Sequence, residues 1–314
     1  MGLAIGVDLG GTKIAAGVVD ESGNVVAHDR RPTPSLSADD VIDSMVEIVT
    51  ALARGREVVG VCIAVPGFVD ASRSRLLFTP NLPMREEPLR SRIEARIHLP
   101  VVIENDANAA TWAEVRYGIA RNARNAVMLT VGTGLGGGVV IDGRLVRGAG
   151  GVAGEVGHMN FVQNGLPCGC GLHGCWEQYA SGNALLRMAR ELAANRRSQA
   201  SVLLSLGDGT PEGIQGEHIT TAAQKGCPVA TAAFDELGEN LGRGMASLSA
   251  LLDPEVFVIG GGVSIAGDFL LRPTAASFEK NLTARQYRVL PKILVASMGN
   301  DAGLIGAADL ARNL

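Results

Sequence analysis

"VDLGGTKIAAGVVDESGNVV" at 7–26 and "LTVGTGLGGGVVIDGRLV" at 129–146 are two versions of one device. In each, a strand enters a turn of glycine and threonine, an aliphatic strand leaves it, and a short turn leads to a third strand. The same supersecondary unit at the head of both halves predicts two related α/β domains, each offering one glycine turn.

The flanking sequence agrees with that frame. From Ser37, "SADDVIDSMVEIVTALA" sets Val41, Met45, Ile48, Val49 and Leu52 at helical spacing, with Ser37 as N-cap and acids in the first turn. "VVGVCIAV" (58–65) and "PVVIE" (100–104) are aliphatic runs that read as buried strands. The polar stretch "RYGIARNARN" (116–125) marks the expected boundary: a small domain over 1–118, completed by a closing helix at 300–314, and a large domain over 119–299. Later segments read as helices (183–206 and 228–252), strands ("VFVIGGG", 256–262; "KILVASM", 292–298) and one surface loop, "GDGTPEGIQGEH" (207–218).

Composition narrows the partners. The chain has 314 residues, 46% hydrophobic and 19% charged, which suits well-formed cores and argues against wholesale disorder. A net charge of -4 gives no basic face for nucleic acid. The opening "MGLAIGVDLGG" lacks the features of a signal peptide, and no apolar run approaches the roughly 20 residues that span a bilayer. The expectation is a cytoplasmic protein with no membrane and no nucleic-acid partner. In that compartment thiols stay reduced.

Consecutive backbone N–H groups in a tight turn form a nest for phosphate oxygens, and glycine lets the ligand approach. "GTGLGG" (132–137) has the glycine spacing of a dinucleotide fingerprint, but that fingerprint must open a helix. Here "VVIDGRLV" follows, with an Asp-Gly hairpin turn, so a strand is expected instead. Asp8, just before the first turn, is placed either to hold Mg²⁺ through water against phosphate oxygens or to cap the turn. At "VVIENDANAATWAEV" a strand runs into a helix and leaves Asn105 and Asp106 at the junction. Asp106 is either a proton acceptor kept ionised by the helix N-terminus or, with Asn105, a capping residue.

"CGCGLHGCWE" (168–177) packs three of the five cysteines into eight positions. A disulfide between Cys168 and Cys170 would close a very small, strained ring, whereas three soft thiolates and one imidazole make a closed, structural zinc site. His173, inside the loop, and His158, ten residues before Cys168, compete for the fourth place, and spacing favours the local His173. Cys62 and Cys227 read as inert core residues.

"DLGGTK" (8–13), "ENDAN" (104–108), "GTGLGGG" (132–138), "GEVGH" (154–158) and the cysteine loop occur in the order found in the ROK family of sugar kinases and repressors, which the chain resembles over nearly its whole length. "GCWEQYASGNAL" most resembles the family's actinobacterial glucose kinases. The resemblance implies an actin-like ATPase (RNase H-like) fold: two related α/β domains with a nucleotide and sugar cleft between them. It implies ATP-dependent phosphorylation of the 6-hydroxyl of glucose, with Mg accompanying ATP and zinc as a structural ion. Other hexoses (N-acetylmannosamine, N-acetylglucosamine, mannose or fructose) are the alternative substrates.

By the same resemblance Asp106 is the base. Gly67, Asn81, Asn105, Asp106, Glu155, His158 and Glu177 bind the sugar. Asp8, Gly10, Gly11, Thr12, Lys13, Thr133, Gly134, Gly260, Gly261 and Gly262 line the nucleotide. The zinc ligands it implies are His158, Cys168, Cys170 and Cys175. Met84 stands where family members commonly carry tryptophan. A sugar-responsive repressor of the family needs a helix-turn-helix domain, for which no room is expected before the first strand. The expected assembly is a homo-oligomer, dimer or tetramer.

Overall fold

The computed structural model describes residues 2–79 and 82–312, so Asn81 lies outside the described residues. The first half opens with β1 (Leu3–Leu9), β2 (Lys13–Val19) and β3 (Val25–Pro32), followed by α1 (Ala38–Ala53) and β4 (Val58–Val65). Three short strands come next, β5 (Phe68–Val69), β6 (Leu76–Phe78) and β7 (Arg85–Glu87), then α2 (Leu89–Ile97), β8 (Val101–Asn105) and α3 (Asp106–Arg116). The main sheet has the order β3-β2-β1-β4-β8, and β5, β6 and β7 form a small sheet of their own. β1 pairs antiparallel with β2 and parallel with β4, which pairs parallel with β8.

Register explains which residues are buried. Ile63 lies opposite Ile103, and both join the core that α1 covers with Val41, Met45, Ile48, Val49 and Leu52. Ser37 caps α1 by accepting from the Asp40 N–H at 3.1 Å, as its position before the apolar stripe predicts. Met84 is buried in the same core.

The second glycine turn is flanked by β9 (Ala126–Val131) and β10 (Leu135–Ile141), and β11 (Arg144–Leu145) follows. Asp142 (φ +51°) and Gly143 (φ +73°) both take left-handed backbone, the requirement of a two-residue hairpin turn. The turn therefore opens a strand, and a dinucleotide fingerprint is excluded. Then come α4 (Gly182–Asn195), α5 (Ser201–Leu206), α6 (Gly216–Gln224), α7 (Pro228–Leu252), β12 (Val256–Gly260), α8 (Asp268–Asn281), β13 (Lys292–Val295) and α9 (Ala302–Leu310). The second sheet has the order β11-β10-β9-β12-β13.

Four expectations are corrected in detail. The helix expected over 183–206 is broken by a 3₁₀ turn at Arg197–Gln199. The loop expected over 207–218 ends early, because Gln215 and His218 cap one another and start α6 at Gly216. The strand expected over 256–262 stops at Gly260, where Gly261 turns the chain with φ +82°. The strand expected over 292–298 stops at Val295.

The chain divides into two compact units, one of Met1–Met128, Gly137–Gly154 and Ala296–Leu314, the other of Leu129–Gly136 and Glu155–Val295. Among the described residues no helix is long and apolar enough to cross a membrane.

In the first unit α9 makes backbone-level contacts that admit no side chain. A Cβ on Gly6 of β1 would lie 1.8 Å from the Leu304 carbonyl oxygen, and one on Gly306 would lie 1.8 Å from that of Ala109 in α3. Gly6→Ala is expected to lower unfolding free energy in urea by about 3 kcal/mol, as overpacking of a rigid contact does. Gly55→Ala, at φ +71° with nothing within 4 Å of the added atom, is the control and should cost about 1 kcal/mol.

Candidate active site

In the first unit the candidate residues collect at the carboxyl ends of parallel strands, where open α/β sheets hold their ligands. β1 ends beside Asp8 and turns through Gly10, Gly11 and Thr12. The turn is closed by the Gly10 N–H donating to the Lys13 carbonyl at 2.9 Å and braced by the Thr33 hydroxyl donating to the Gly10 carbonyl at 2.7 Å. Gly11, Thr12 and Lys13 remain exposed.

β8 ends at Asn105, whose side chain does two jobs. Its Oδ1 accepts from the Asn108 N–H at 3.0 Å, capping α3, and its Nδ2 donates to the Gly67 carbonyl at 3.1 Å. Gly67 has φ +132°, and a Cβ there would lie 2.1 Å from the Phe78 carbonyl oxygen, so only glycine fits. Asp106 begins α3 and accepts from the Ala107 N–H at 2.8 Å.

Burial pushes the Asp106 carboxyl up to about 6, and the Asp8 carboxylate adds to the rise. Asp8 is itself raised by burial, against the pull of Lys13. Two carboxyl groups thus share a poorly solvated site, and one of them titrates near neutrality, the condition that suits a general base.

In the second unit the turn at 132–134 is fastened to the start of α4. Gly182 N–H donates to the Gly132 carbonyl at 2.7 Å, and Ser181 caps α4 through the Ala184 N–H at 3.2 Å. Gly261 lies against β9, where an added Cβ would sit 2.5 Å from the Val131 carbonyl oxygen. The 260–262 and 132–134 segments are therefore neighbours, and Thr133 and Gly134 stand with Gly260, Gly261 and Gly262 around the ends of β9 and β12. A Cβ on Gly134 would lie 2.8 Å from Glu177 Oε2, which brings Glu177 to the same turn.

Glu155 precedes a 3₁₀ turn, Val156–His158, and Glu177 lies in another, Trp176–Gln178. His158, Cys168, Cys170 and Cys175 gather with all their ligand atoms within 4.8 Å of one another. His158 Nδ1 is 3.7 Å from Cys168 Sγ, and Cys170 Sγ is 3.6 Å from Cys175 Sγ. Ligand bonds of ~2.1–2.3 Å in a tetrahedron give edges close to these separations. All five cysteines are free thiols, so three soft donors and an imidazole fit zinc. The structure gathers His158, and the exposed His173 is not in the cluster. Glu177 is tied to the same knot, accepting from the Cys168 thiol at 3.0 Å.

One group was not singled out from sequence. Glu104 of β8 is 2% exposed and holds Arg147 and Arg73 beside Asn105 and Asn108. Its signal was legible, because a carboxylate inside the apolar run "VVIEN" must find a buried partner.

The chain matches the ROK family over residues 4–314 and belongs to that family. It is 50% identical over 312 residues to a glucokinase of Streptomyces coelicolor, covering 99% of this chain and 98% of that one. Its fold is similar to that of a ROK family glucokinase from Streptomyces griseus solved with glucose and AMPPNP, with a TM-score of 0.88, 48% identity and all of both chains covered. It is also similar to a ROK hexokinase from Thermus thermophilus, with a TM-score of 0.85 and 35% identity over 99% of this chain and 98% of that one. The fold is thus the actin-like ATPase fold of the ROK sugar kinases.

Asn105→Ala should lower unfolding free energy by about 1–2 kcal/mol, since it removes the α3 cap and the bond to Gly67 together. Urea titration of the variant beside wild type measures the loss.

Proposed function

We propose that this chain is an ATP-dependent glucose kinase, moving the γ-phosphoryl group of Mg-ATP to the 6-hydroxyl of glucose and giving glucose 6-phosphate and ADP. The observation that carries the reading is a carboxylate poised near neutrality at a helix N-terminus, Asp106, in a chain half-identical along its length to a glucokinase. Asp106 takes the 6-hydroxyl proton as that oxygen bonds to the γ-phosphorus, and the bond from phosphorus to the bridging oxygen breaks with ADP leaving. Asn105, Gly67, Glu155, His158 and Glu177 bind the sugar hydroxyls, and Asn81 is assigned with them. The turns at Gly10–Lys13, Thr133–Gly134 and Gly260–Gly262 offer backbone donors to the nucleotide. Mg²⁺, when bound with ATP beside Asp8, supplies charge neutralisation for the transferred group.

In our reading His158, Cys168, Cys170 and Cys175 hold a structural zinc ion, and the ion shapes the loop that carries Glu177. A homo-oligomer working in the cytoplasm accords with the reading.

Asp106→Asn should reduce kcat by roughly 10²-fold or more while glucose binding by calorimetry changes little; near-normal turnover removes Asp106 from the mechanism. The base works ionised, so kcat/KM for glucose should be flat above the Asp106 pKa of about 6. It should fall about tenfold per unit as pH drops below that value. A coupled ADP-release assay across glucose, N-acetylmannosamine, N-acetylglucosamine, mannose and fructose should give glucose the highest kcat/KM, and another sugar in first place overturns the substrate.

Zinc content by plasma emission should be about one per chain for wild type and for His173→Ala. It should drop for His158→Ala, with a lowered Tm. Full zinc in His158→Ala would refute this ligand set.

A further inference from the structure

Glu104 is where four donors converge on one carboxylate, with a second guanidinium beside them. Arg147 reaches Oε2 through both Nε and Nη2 at 2.7 Å. Arg73 Nε approaches the same oxygen at 3.5 Å. On the other oxygen, Oε1 accepts from Asn108 Nδ2 at 3.1 Å and from the Asn105 N–H at 3.2 Å. Both carboxylate oxygens are thus used, and by different parts of the chain.

The partners fix what the carboxylate joins. Asn105 and Asn108 belong to the capped start of α3 that presents Asp106. Arg73 comes from the turn after β5, and its carbonyl accepts from the Ile103 N–H at 3.1 Å along the outer edge of β8. Arg147 comes from the loop that runs on into Glu155. That loop is pressed against the β5 turn at Gly151 (φ +90°), where a Cβ would lie 2.4 Å from the Val69 carbonyl oxygen. It also lies beside α3 at Gly154 (φ +96°), where a Cβ would be 3.6 Å from Asn108 Oδ1.

Two guanidinium groups face one carboxylate, so the anion is the scarce component. Arg73 Nε and Nη2 are buried without a hydrogen-bond partner, which makes the network intolerant of losing an acceptor. A glutamine at 104 presents one acceptor and one donor. Whichever way its amide turns, an N–H meets either the arginines or the Asn105 and Asn108 donors.

We propose that Glu104 is a positioning residue for sugar binding, a buried hub that sets the loop 146–154 against the Asn105–Asp106 corner. The sugar part of this inference rests on the glucose-kinase reading; the hub itself does not.

The test uses the full chain with Glu104→Gln and Arg147→Lys, which keeps the charge and loses the two-point contact. Hydrogen exchange of the free protein reads the hub without any substrate: amides over 146–154 and 105–108 should exchange about tenfold faster in Glu104→Gln. KM for glucose should rise about tenfold or more, with KM for ATP within about twofold of wild type, because misplacement falls on the sugar contacts. Arg147→Lys should show the same split at near wild-type Tm, and it carries the test if Glu104→Gln fails to fold.

Equal rises in both KM values, or unchanged exchange over 146–154, would overturn the proposal. So would recovery of KM for glucose in Glu104→Leu/Arg147→Leu, which would mean that only charge balance mattered. A wild-type chain that does not turn over glucose defeats the glucose-kinase reading instead, and the exchange experiment still decides the hub.

Discussion

The first unit depends on a contact between backbones, the seating of α9 between β1 and α3. Gly6 on the strand, Gly306 on the helix and Gly303 at its start each lie where a side chain would overlap a neighbour. At Gly303 the neighbour is Asp8 of the candidate site, whose Cγ would lie 2.9 Å from an added Cβ. Rigid contacts of this kind leave little room for adjustment, so the last helix of the chain fixes the space around the first strand's carboxylate. The same helix sets α3, because Asp309 accepts from Trp112 Nε1 at 2.8 Å and from Arg116 Nε at 3.1 Å. Asp8 and Asp106 therefore stand on elements braced by a single third element.

That brace bears on the chemistry through electrostatics. Burial raises the proton affinity of Asp106 and the Asp8 carboxylate adds to the rise, an effect that falls steeply if solvent enters between them. Asp106 near 6 is thus a consequence of packing as much as of its own position at a helix start, which by itself favours the ionised form. Burial wins over the helix N-terminus in this balance. A carboxylate shifted upward in this way accepts a proton more readily than an ordinary one while remaining ionised at neutral pH.

Local signals in the sequence located most of the elements that carry the site. The glycine turns, the Ser37 cap, the Asp142–Gly143 hairpin and the junction at Asn105 are each written in three or four adjacent residues, where turn chemistry and periodicity act directly. What escaped is of two kinds. Short elements such as β5 to β7 have too few residues for a period to show, and α6 begins at a glycine in a polar run. Long-range electrostatic partners escaped as well. Nothing adjacent to Glu104 announces Arg147, 43 positions away. Spacing alone favours His173 for the same reason, and it is the family resemblance that implies His158, the histidine the fold gathers with the cysteines.

The second unit shows why that histidine matters physically. Trp176, fully buried, packs its ring over Gly244 of α7 and donates from Nε1 to the Asn240 carbonyl at 3.0 Å, which anchors the end of the cysteine loop to the longest helix. Glu177 follows directly and lies against both the Cys168 thiol and the Gly134 turn. The loop before it is rich in glycine and is folded by backbone bonds, the Cys168 N–H donating to the Leu172 carbonyl at 2.8 Å and the Gly174 N–H to the Leu166 carbonyl at 2.8 Å. The four-donor cluster adds a link between segments, because His158 comes from a different segment than the three cysteines, beside the backbone bond from the Trp176 N–H to the Met159 carbonyl at 2.9 Å. The imidazole ties the cysteine loop to the Glu155–His158 turn, and the tryptophan ties it to α7.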